Sequence, residues 1–198
     1  EEKATGQISA GAGLGTSGSS LSFGVKENNY LGKGINVNSN LTISDETVKG
    51  LFSIRNRNYN NTDKSVYSSI EALETDRLTN FGYKTNRVGF SLGTDFEYFE
   101  DFYFGIGASS YFEDIETNKT ASDRQKAQTG NYWDTFLKLD FNYDKRNQKF
   151  QTTDGFKSTY FVDIPILSET NTLTNTYNYD YYTELYENNV SSFTFFLK

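Results

Sequence analysis

The side chains that most often carry out catalysis or bind metals are scarce in this sequence. Its 198 residues include no histidine and no cysteine, which excludes histidine-based triads, thiol nucleophiles and the usual zinc ligands. Aspartate and glutamate number 26, but most of them lie between apolar runs, where carboxylates ordinarily serve as solvated turn residues. We therefore predict no enzymatic activity, no metal and no cofactor.

Two segments could be mistaken for sites of another kind. Asp140 and Lys138 share the inward face of one alternating segment, and we expect them to belong to a structural polar network. The segment from Gly11 to Ser20 has the glycines of a phosphate-binding loop but lacks the lysine and the following serine or threonine. Its glycines instead predict a strand with little side-chain volume on one face.

The overall composition narrows the fold class. Only 35% of residues are hydrophobic and the mean hydropathy is −0.67, yet there are 17 Phe, 15 Tyr and a single Pro. Aromatic side chains in that number must be buried in protein or lipid, which argues against disorder. A membrane β-barrel needs an apolar residue only at every second position, so it tolerates this hydropathy. The net charge of −7 argues against nucleic acid as a partner.

Apolar and polar residues alternate with a period of two along nearly the whole chain, which is typical of strands with one apolar face. The pattern forms eleven runs of about ten residues each, the length of a tilted strand that crosses a bilayer. The fifth run is the least regular. The alternation is visible over residues 8–14, 21–25, 35–43, 48–54, 66–73, 88–92, 102–108, 137–143, 160–166, 177–185 and from 190 onward.

The segments between the runs add two regularities. Short and longer links alternate, which predicts that the odd runs point outward and that the chain enters the barrel from the periplasm. Asp45 and Glu46 form one such link, Ser17, Gly18 and Ser19 are expected to form the first tight turn, and the longest link lies at about 114–131. Aromatic residues near the run ends predict two girdles at the level of the lipid headgroups. These aromatics are Tyr30, Tyr59, Phe81, Tyr83, Phe96, Tyr98, Phe99, Tyr132 and Trp133.

These patterns predict an all-β fold, an antiparallel transmembrane β-barrel to which this chain contributes about eleven strands. Residues 6–198 would form the barrel domain. No signal peptide begins at Glu1, so we expect an exported chain of this kind to start inside a longer precursor.

Two segments resemble the membrane barrel of the BamA family of outer-membrane protein assembly factors. Glu1 to Gly34 resembles the start of that barrel, from the end of the last POTRA domain through the first hairpin to a "DNWLGTG"-like turn. Tyr143 to Pro165 resembles the family's "YDxRDxxxFPTDG" periplasmic turn and the strand after it. Asn147 departs from the usual Asp, and Gln151-Thr152 from Phe-Pro. The matching residues are Asp144, Arg146, Thr153, Asp154 and Gly155.

The resemblance implies a barrel of sixteen strands, of which this chain supplies roughly the first eleven. Residues 1–5 would end the preceding POTRA domain or linker, and the closing strand and an "RGF"-like loop would lie beyond Lys198. The first strand, Gly6 to Thr16, would form a weakly closed lateral gate. Its candidate residues are Gly6, Gln7, Ile8, Ser9, Ala10, Gly11, Ala12, Gly13 and Leu14.

The function implied is the non-enzymatic insertion of β-barrel proteins into the bacterial outer membrane. Its partners would be nascent outer-membrane β-barrel proteins, accessory lipoproteins of the assembly complex and outer-membrane lipids. Two alternatives remain open at this stage. One is a secretion pore or an autotransporter assembly factor of the same superfamily. The other is a small passive channel. The ending Ser191 to Lys198 resembles the aromatic C-terminal signal of such barrels, although its terminal lysine is atypical.

Overall fold

A computed structural model describes residues 5–15, 18–169, 172–187 and 189–198. These residues form one antiparallel sheet in which eleven strands lie in the order of the sequence, each bonded to the next. The strands are β1 Gly6–Gly15, β2 Gly18–Tyr30, β3 Ile35–Ser44, β4 Thr47–Asn56, β5 Lys64–Arg77, β6 Tyr83–Phe99, β7 Phe102–Thr117, β8 Gly130–Asp144, β9 Gly155–Leu167, β10 Thr174–Tyr186 and β11 Asn189–Leu197. The predicted all-β, antiparallel fold is confirmed.

Each predicted run corresponds to a strand, but several strands outlast their runs. β6 has 17 residues and β7 has 16, because the ladder continues past the apolar band to positions where both faces are polar and alternation disappears. The longest link is accordingly shorter than predicted and occupies residues 118–129. Gly18 and Ser19, which were expected in a turn, already belong to β2. Ser17, Thr16 and residues 1–4 lie outside the described residues.

The apolar side chains of the sheet are exposed rather than collected in a core. Phe23, Val88 and Leu92 are each about half exposed, and the buried hydrophobic residues of the described chain are Ala121 and Val162. A water-soluble protein with so much exposed apolar surface would aggregate. The apolar face therefore faces lipid, as in a membrane barrel.

Helical structure is confined to short turns at the strand ends. Among the described residues these are a 3₁₀ turn at Tyr59–Asn61, α1 at Leu78–Phe81 and α2 at Asp123–Lys126. No helix in that part of the chain has the length and apolar character needed to cross a membrane.

The opposite face of the sheet, which would line the barrel lumen, is polar and partly covered by its own side chains. Arg55 on β4 forms an ion pair with Asp95 on β6 at 2.9 Å. The ring of Tyr67 on β5 lies over Gly93 and Gly107, where an added Cβ would come within 2.5 and 2.7 Å of its hydroxyl oxygen. Tyr67 belongs to this luminal face, which explains why the fifth run looked irregular.

A row of aromatic rings crosses the apolar face obliquely, from the β6–β7 connection to the opposite ends of β10 and β11. Neighbouring ring centroids in this row are 4.5 to 6.5 Å apart, within the range of favourable aromatic pairs. We call the end of the sheet that carries the 145–154 turn the turn rim, and the opposite end the loop rim. The row passes from β6 to β11 through Phe99, Phe102, Phe141, Tyr160, Tyr177 and Phe195.

Candidate functional site

The predicted gate strand, β1, forms one edge of the sheet. All ten of its residues pair with β2, from Gly6 opposite Glu27 to Gly15 opposite Gly18. Its other edge has no partner strand among the described residues. Every second backbone N–H and C=O of β1 therefore points away from β2, and such a row of unpaired groups is a template for strand addition.

Side chains contribute little to holding β1 in the sheet. All ten residues are exposed, and Ile8 and Leu14 expose 84% and 93% of their surface. On the luminal face Gly11 and Gly13 lie opposite Ser22 and Ser20, so that face has almost no side-chain contact area. The strand is held mainly by its backbone ladder with β2.

The second predicted set of residues forms the turn between β8 and β9. Arg146 donates two hydrogen bonds to the carboxylate of Asp144, at 2.7 Å from Nε and 2.8 Å from Nη2. The two side chains are only 15% and 10% exposed, and Asp144 raises the pKa of Arg146. Beside them Lys145 forms an ion pair with Asp101 at 2.7 Å. The Lys145–Asp101 ion pair fastens the start of the turn to the adjacent β6–β7 connection.

Asn147 organises the end of this turn. Its Oδ1 accepts from the backbone N–H groups of Thr153 at 3.2 Å and Asp154 at 3.3 Å. Its Nδ2 donates to the hydroxyl of Thr153 at 2.6 Å. An aspartate, which the BamA family usually has at this position, could not donate this bond. Gly155 has φ +99°, and a Cβ there would collide with the carbonyl oxygen of Lys145. The departure from the family pattern thus preserves a closed turn.

The two predicted sets are separate structures. The turn residues Asp144, Arg146, Thr153 and Asp154 are brought together within one loop, whereas the gate residues lie along β1, seven strands away in the sheet. The turn is a positioned structural element, whereas β1 and β11 are the two edge strands of the described sheet, and β1 is the one with almost no side-chain contact to its neighbour. Among the described residues no group of three potential metal ligands comes together.

The luminal polar residues include a cross-strand ion pair that the sequence did not specify. Lys138 forms its ion pair with Asp163 on the next strand, at 3.2 Å, while Asp140 lies beside Gly105, whose added Cβ would be 3.1 Å from the Cβ of Asp140. Register explains the ion pair, because Lys138 and Asp163 are directly opposite each other in the β8–β9 ladder.

Sequence reasoning missed a contact next to the gate strand. Asp45, expected only to link two runs, accepts hydrogen bonds at its carboxylate from the backbone N–H and the hydroxyl of Ser19. These residues are 26 positions apart. The β2–β3 register, which places Ser20 opposite Ser44, would have been needed to find the contact.

Comparison with known proteins identifies the family. The sequence model of the Omp85 superfamily domain matches residues 29–197. No curated protein matches the chain at a significant level. Among solved structures, the chain is similar to the crystal structure of BamA from Haemophilus ducreyi lacking POTRA domains 1–3, with a TM-score of 0.72 and 20% identity.

That structural match covers 95% of this chain and 39% of the BamA chain. At this identity it shows the fold, and the chain spans less than half the length of that relative. The family match, by contrast, covers most of this sequence. The chain therefore belongs to the Omp85 superfamily and is part of the transmembrane β-barrel of a bacterial outer-membrane protein.

Proposed function

We propose that this barrel assembles and inserts other β-barrel proteins into the outer membrane, with β1 as the strand to which an incoming chain pairs. The observation that carries the proposal is the scarcity of side-chain contact on β1, where Gly11 and Gly13 face only Ser22 and Ser20, in a member of the Omp85 superfamily. The partners would be nascent outer-membrane β-barrel proteins, accessory lipoproteins of an assembly complex and the surrounding lipids. No covalent step is required.

Backbone hydrogen bonding supplies the interaction. A client strand that adds to the free edge of β1 satisfies the same N–H and C=O groups that a closing strand of the barrel would satisfy. When a client strand replaces the closing strand, backbone hydrogen bonds of the same kind are broken and formed. Each contributes a net of about 0.5–1.5 kcal/mol to stability. The exchange is therefore close to balanced, and folding of the client can drive it.

The small side chains of β1 lower the barrier to this exchange. Gly11, Ala12 and Gly13 offer little surface to a closing strand, so its departure would expose little packed area. The same smallness allows client strands of different sequence to approach, because no large side chain between Ser9 and Gly13 has to be matched. Weak closure and broad acceptance of clients would thus have one cause.

The apolar band is narrower at the gate than at the middle of the sheet. On β1 it extends from Ile8 to Leu14, about 20 Å along the strand, and on β2 from Leu21 to Val25, about 13 Å. On β7 it extends from Phe102 to Phe112, about 33 Å along the strand. Because the strands are tilted by about 45°, each band spans less bilayer depth than its length along the strand, but the band on β7 still spans more depth than the band at the gate. We infer that the bilayer thins beside β1, which would ease insertion of client strands.

Cross-linking in the full-length protein tests the proposal. Cysteine is absent from this sequence, so each single substitution introduces the one thiol of these 198 residues. Ser9→Cys places it on the luminal face of β1, and Leu14→Cys places it on the lipid face. Ser91→Cys and Phe90→Cys are matched controls on the luminal and lipid faces of β6, far from the edge.

We expect nascent outer-membrane proteins to cross-link to both β1 positions and to neither β6 position. Adducts only with lipid or with the barrel interior at β1 would contradict the proposal. Cross-links to a transported protein at Ser91 but not on β1 would instead support a secretion pore of the same superfamily.

A further inference from the structure

A carboxylate at the loop rim ties the end of the β1–β2 hairpin to the next hairpin. Asp45 lies in the two-residue connection between β3 and β4. Its Oδ2 accepts from the backbone N–H of Ser19 at 3.1 Å, and its Oδ1 accepts from the Ser19 hydroxyl at 2.9 Å. Both carboxylate oxygens are thus directed to one residue, the second of β2.

The backbone beside Ser19 leaves room for this contact. Gly18 has φ +102°, and a Cβ at that position would collide with the Asp45 carboxylate. Any other residue there would meet both an unfavourable backbone conformation and a steric clash. The close approach of Asp45 therefore depends on glycine at position 18.

The same connection also reaches in the other direction. Glu46 accepts from Arg77 Nε at 2.8 Å and from Asn80 Nδ2 at 3.2 Å, and its backbone oxygen accepts from the N–H of Asp76 at 2.8 Å. The Asp45–Glu46 connection therefore links the β1–β2 hairpin to the β5–β6 connection along the loop rim.

The other end of the hairpin is held differently. At the turn rim β2 contacts the start of β1 through Asn28 Nδ2, which donates to the backbone oxygen of Thr5 at 3.4 Å, and through the Glu27 carboxylate, which is hydrogen-bonded to Thr5. The β2–β3 ladder is also irregular there, with a register shift between Glu27 and Tyr30. At the loop rim a carboxylate of the next hairpin therefore holds the β1–β2 hairpin, whereas at the turn rim the contacts with Thr5 lie within the hairpin and its ladder with β3 is interrupted.

We propose that Asp45 is a positioning residue for the gate, holding the loop-rim half of β1 against the barrel wall so that its free edge is presented as an ordered strand. This inference rests on the proposed function of β1. Without Asp45, the loop-rim half of the hairpin would separate from β3 more often, and β1 would be disordered where a client strand has to pair.

Hydrogen exchange of the full-length protein tests the positioning role without any client. The readout is the exchange of the β1 amides that bond to β2, compared between Ala10–Leu14 and Gly6–Ser9. We expect Asp45→Ala to accelerate exchange in Ala10–Leu14 by about three- to tenfold and to leave Gly6–Ser9 nearly unchanged. Asp45→Asn keeps one acceptor oxygen and should give a smaller acceleration.

Glu46→Gln is the matched control, because it alters the neighbouring carboxylate but not the contact with Ser19. Unchanged or uniformly accelerated exchange along β1 in Asp45→Ala, or an equal effect of Glu46→Gln, would overturn the positioning role. Should Asp45→Ala fail to fold, the same comparison between Asp45→Asn and Glu46→Gln decides the question.

Client cross-linking separates this inference from the proposed function. With Asp45 replaced, cross-linking from Leu14→Cys should fall relative to that from Ile8→Cys. If Asp45→Ala accelerated exchange selectively in Ala10–Leu14, but no client cross-links formed from β1 in the protein with Asp45 intact, the proposed function would be contradicted and the anchoring role of Asp45 would stand. Client cross-links that do not respond to Asp45 would contradict the positioning role alone.

Discussion

Replacing Gly93 with alanine tests how tightly the luminal face of the barrel wall is packed. A Cβ at Gly93 would lie 2.5 Å from the hydroxyl oxygen and 2.6 Å from Cζ of Tyr67, and 2.9 Å from the carbonyl oxygen of Ile106. Tyr67 would have to leave its place and the β7 backbone would have to shift. Overpacking of this kind costs about 1–3 kcal/mol, and we expect that loss for Gly93→Ala.

Gly50 provides the matched control. It also lies within a strand, but a Cβ there would meet nothing within 4 Å. Gly50→Ala should therefore change the free energy of unfolding by less than about 1 kcal/mol, in the stabilising direction if at all. The assay is urea unfolding of the full-length protein in lipid vesicles, followed by the gel-mobility difference between folded and unfolded barrels.

A double-mutant cycle with Tyr67→Ala isolates the contact itself. In the Tyr67→Ala background, Gly93→Ala should lose most of its cost, giving a coupling energy of about 1–2 kcal/mol. The carbonyl oxygen of Ile106 remains and accounts for the residual cost. A coupling energy near zero, or a Gly50→Ala penalty equal to that of Gly93→Ala, would refute the packing argument.

Three further changes test other parts of the structure. Arg146→Ala removes both hydrogen bonds from the largely buried Asp144 carboxylate, and urea titration should show a loss of about 2–3 kcal/mol, with Arg146→Lys intermediate. Hydrogen bonds from Ser19 lower the pKa of Asp45. The Asp45 carboxylate should therefore protect the hairpin amides from exchange to the same extent at any pH above the unfolded aspartate pKa of about 3.9, and this protection should be lost as the pH falls through the lower folded pKa. Hydrogen exchange corrected for intrinsic rates would measure the change. Phe23→Lys, on the lipid face, should destabilise the barrel by about 2–4 kcal/mol in the same urea assay, whereas Ser22→Lys, on the luminal face, should have little effect.

The period-two alternation was sufficient to predict the strands and their faces. In the eighth run Leu137, Leu139 and Phe141 were placed on one face and Lys138 on the other, and the ladder with β9 has that arrangement. Strand length was underestimated because alternation is imposed only where one face meets lipid. Beyond that band, as at Tyr83 to Asn86 of β6, both faces are polar and the sequence no longer marks the strand.

Luminal contacts were less predictable because they depend on register between strands. Arg55 and Asp95 are 40 residues apart, and their pairing follows only from the combined registers of β4, β5 and β6. Asp140 and Lys138 were expected to act together because they are neighbours on one face of one strand. The ion pair of Lys138 is formed with Asp163 on the neighbouring strand, where opposite charges come closer than along a strand, and only the register identifies this partner.

Side-chain packing is uneven across the sheet, and this unevenness bears on where the proposed gate lies. Between β1 and β2 the facing residues include Gly11 with Ser22 and Gly13 with Ser20. Further along the sheet, Phe104 contacts Phe96 on β6 and Phe141 on β8 with ring centroids 5.9 and 5.3 Å apart. Backbone ladders are similar throughout, so the difference in lateral strength comes from cross-strand side-chain pairs, each worth about 0.2–1 kcal/mol. Because the small side chains belong to β1 itself, we expect a strand that lies against its other edge to be held weakly as well, and separation there to cost less than separation between β6, β7 and β8.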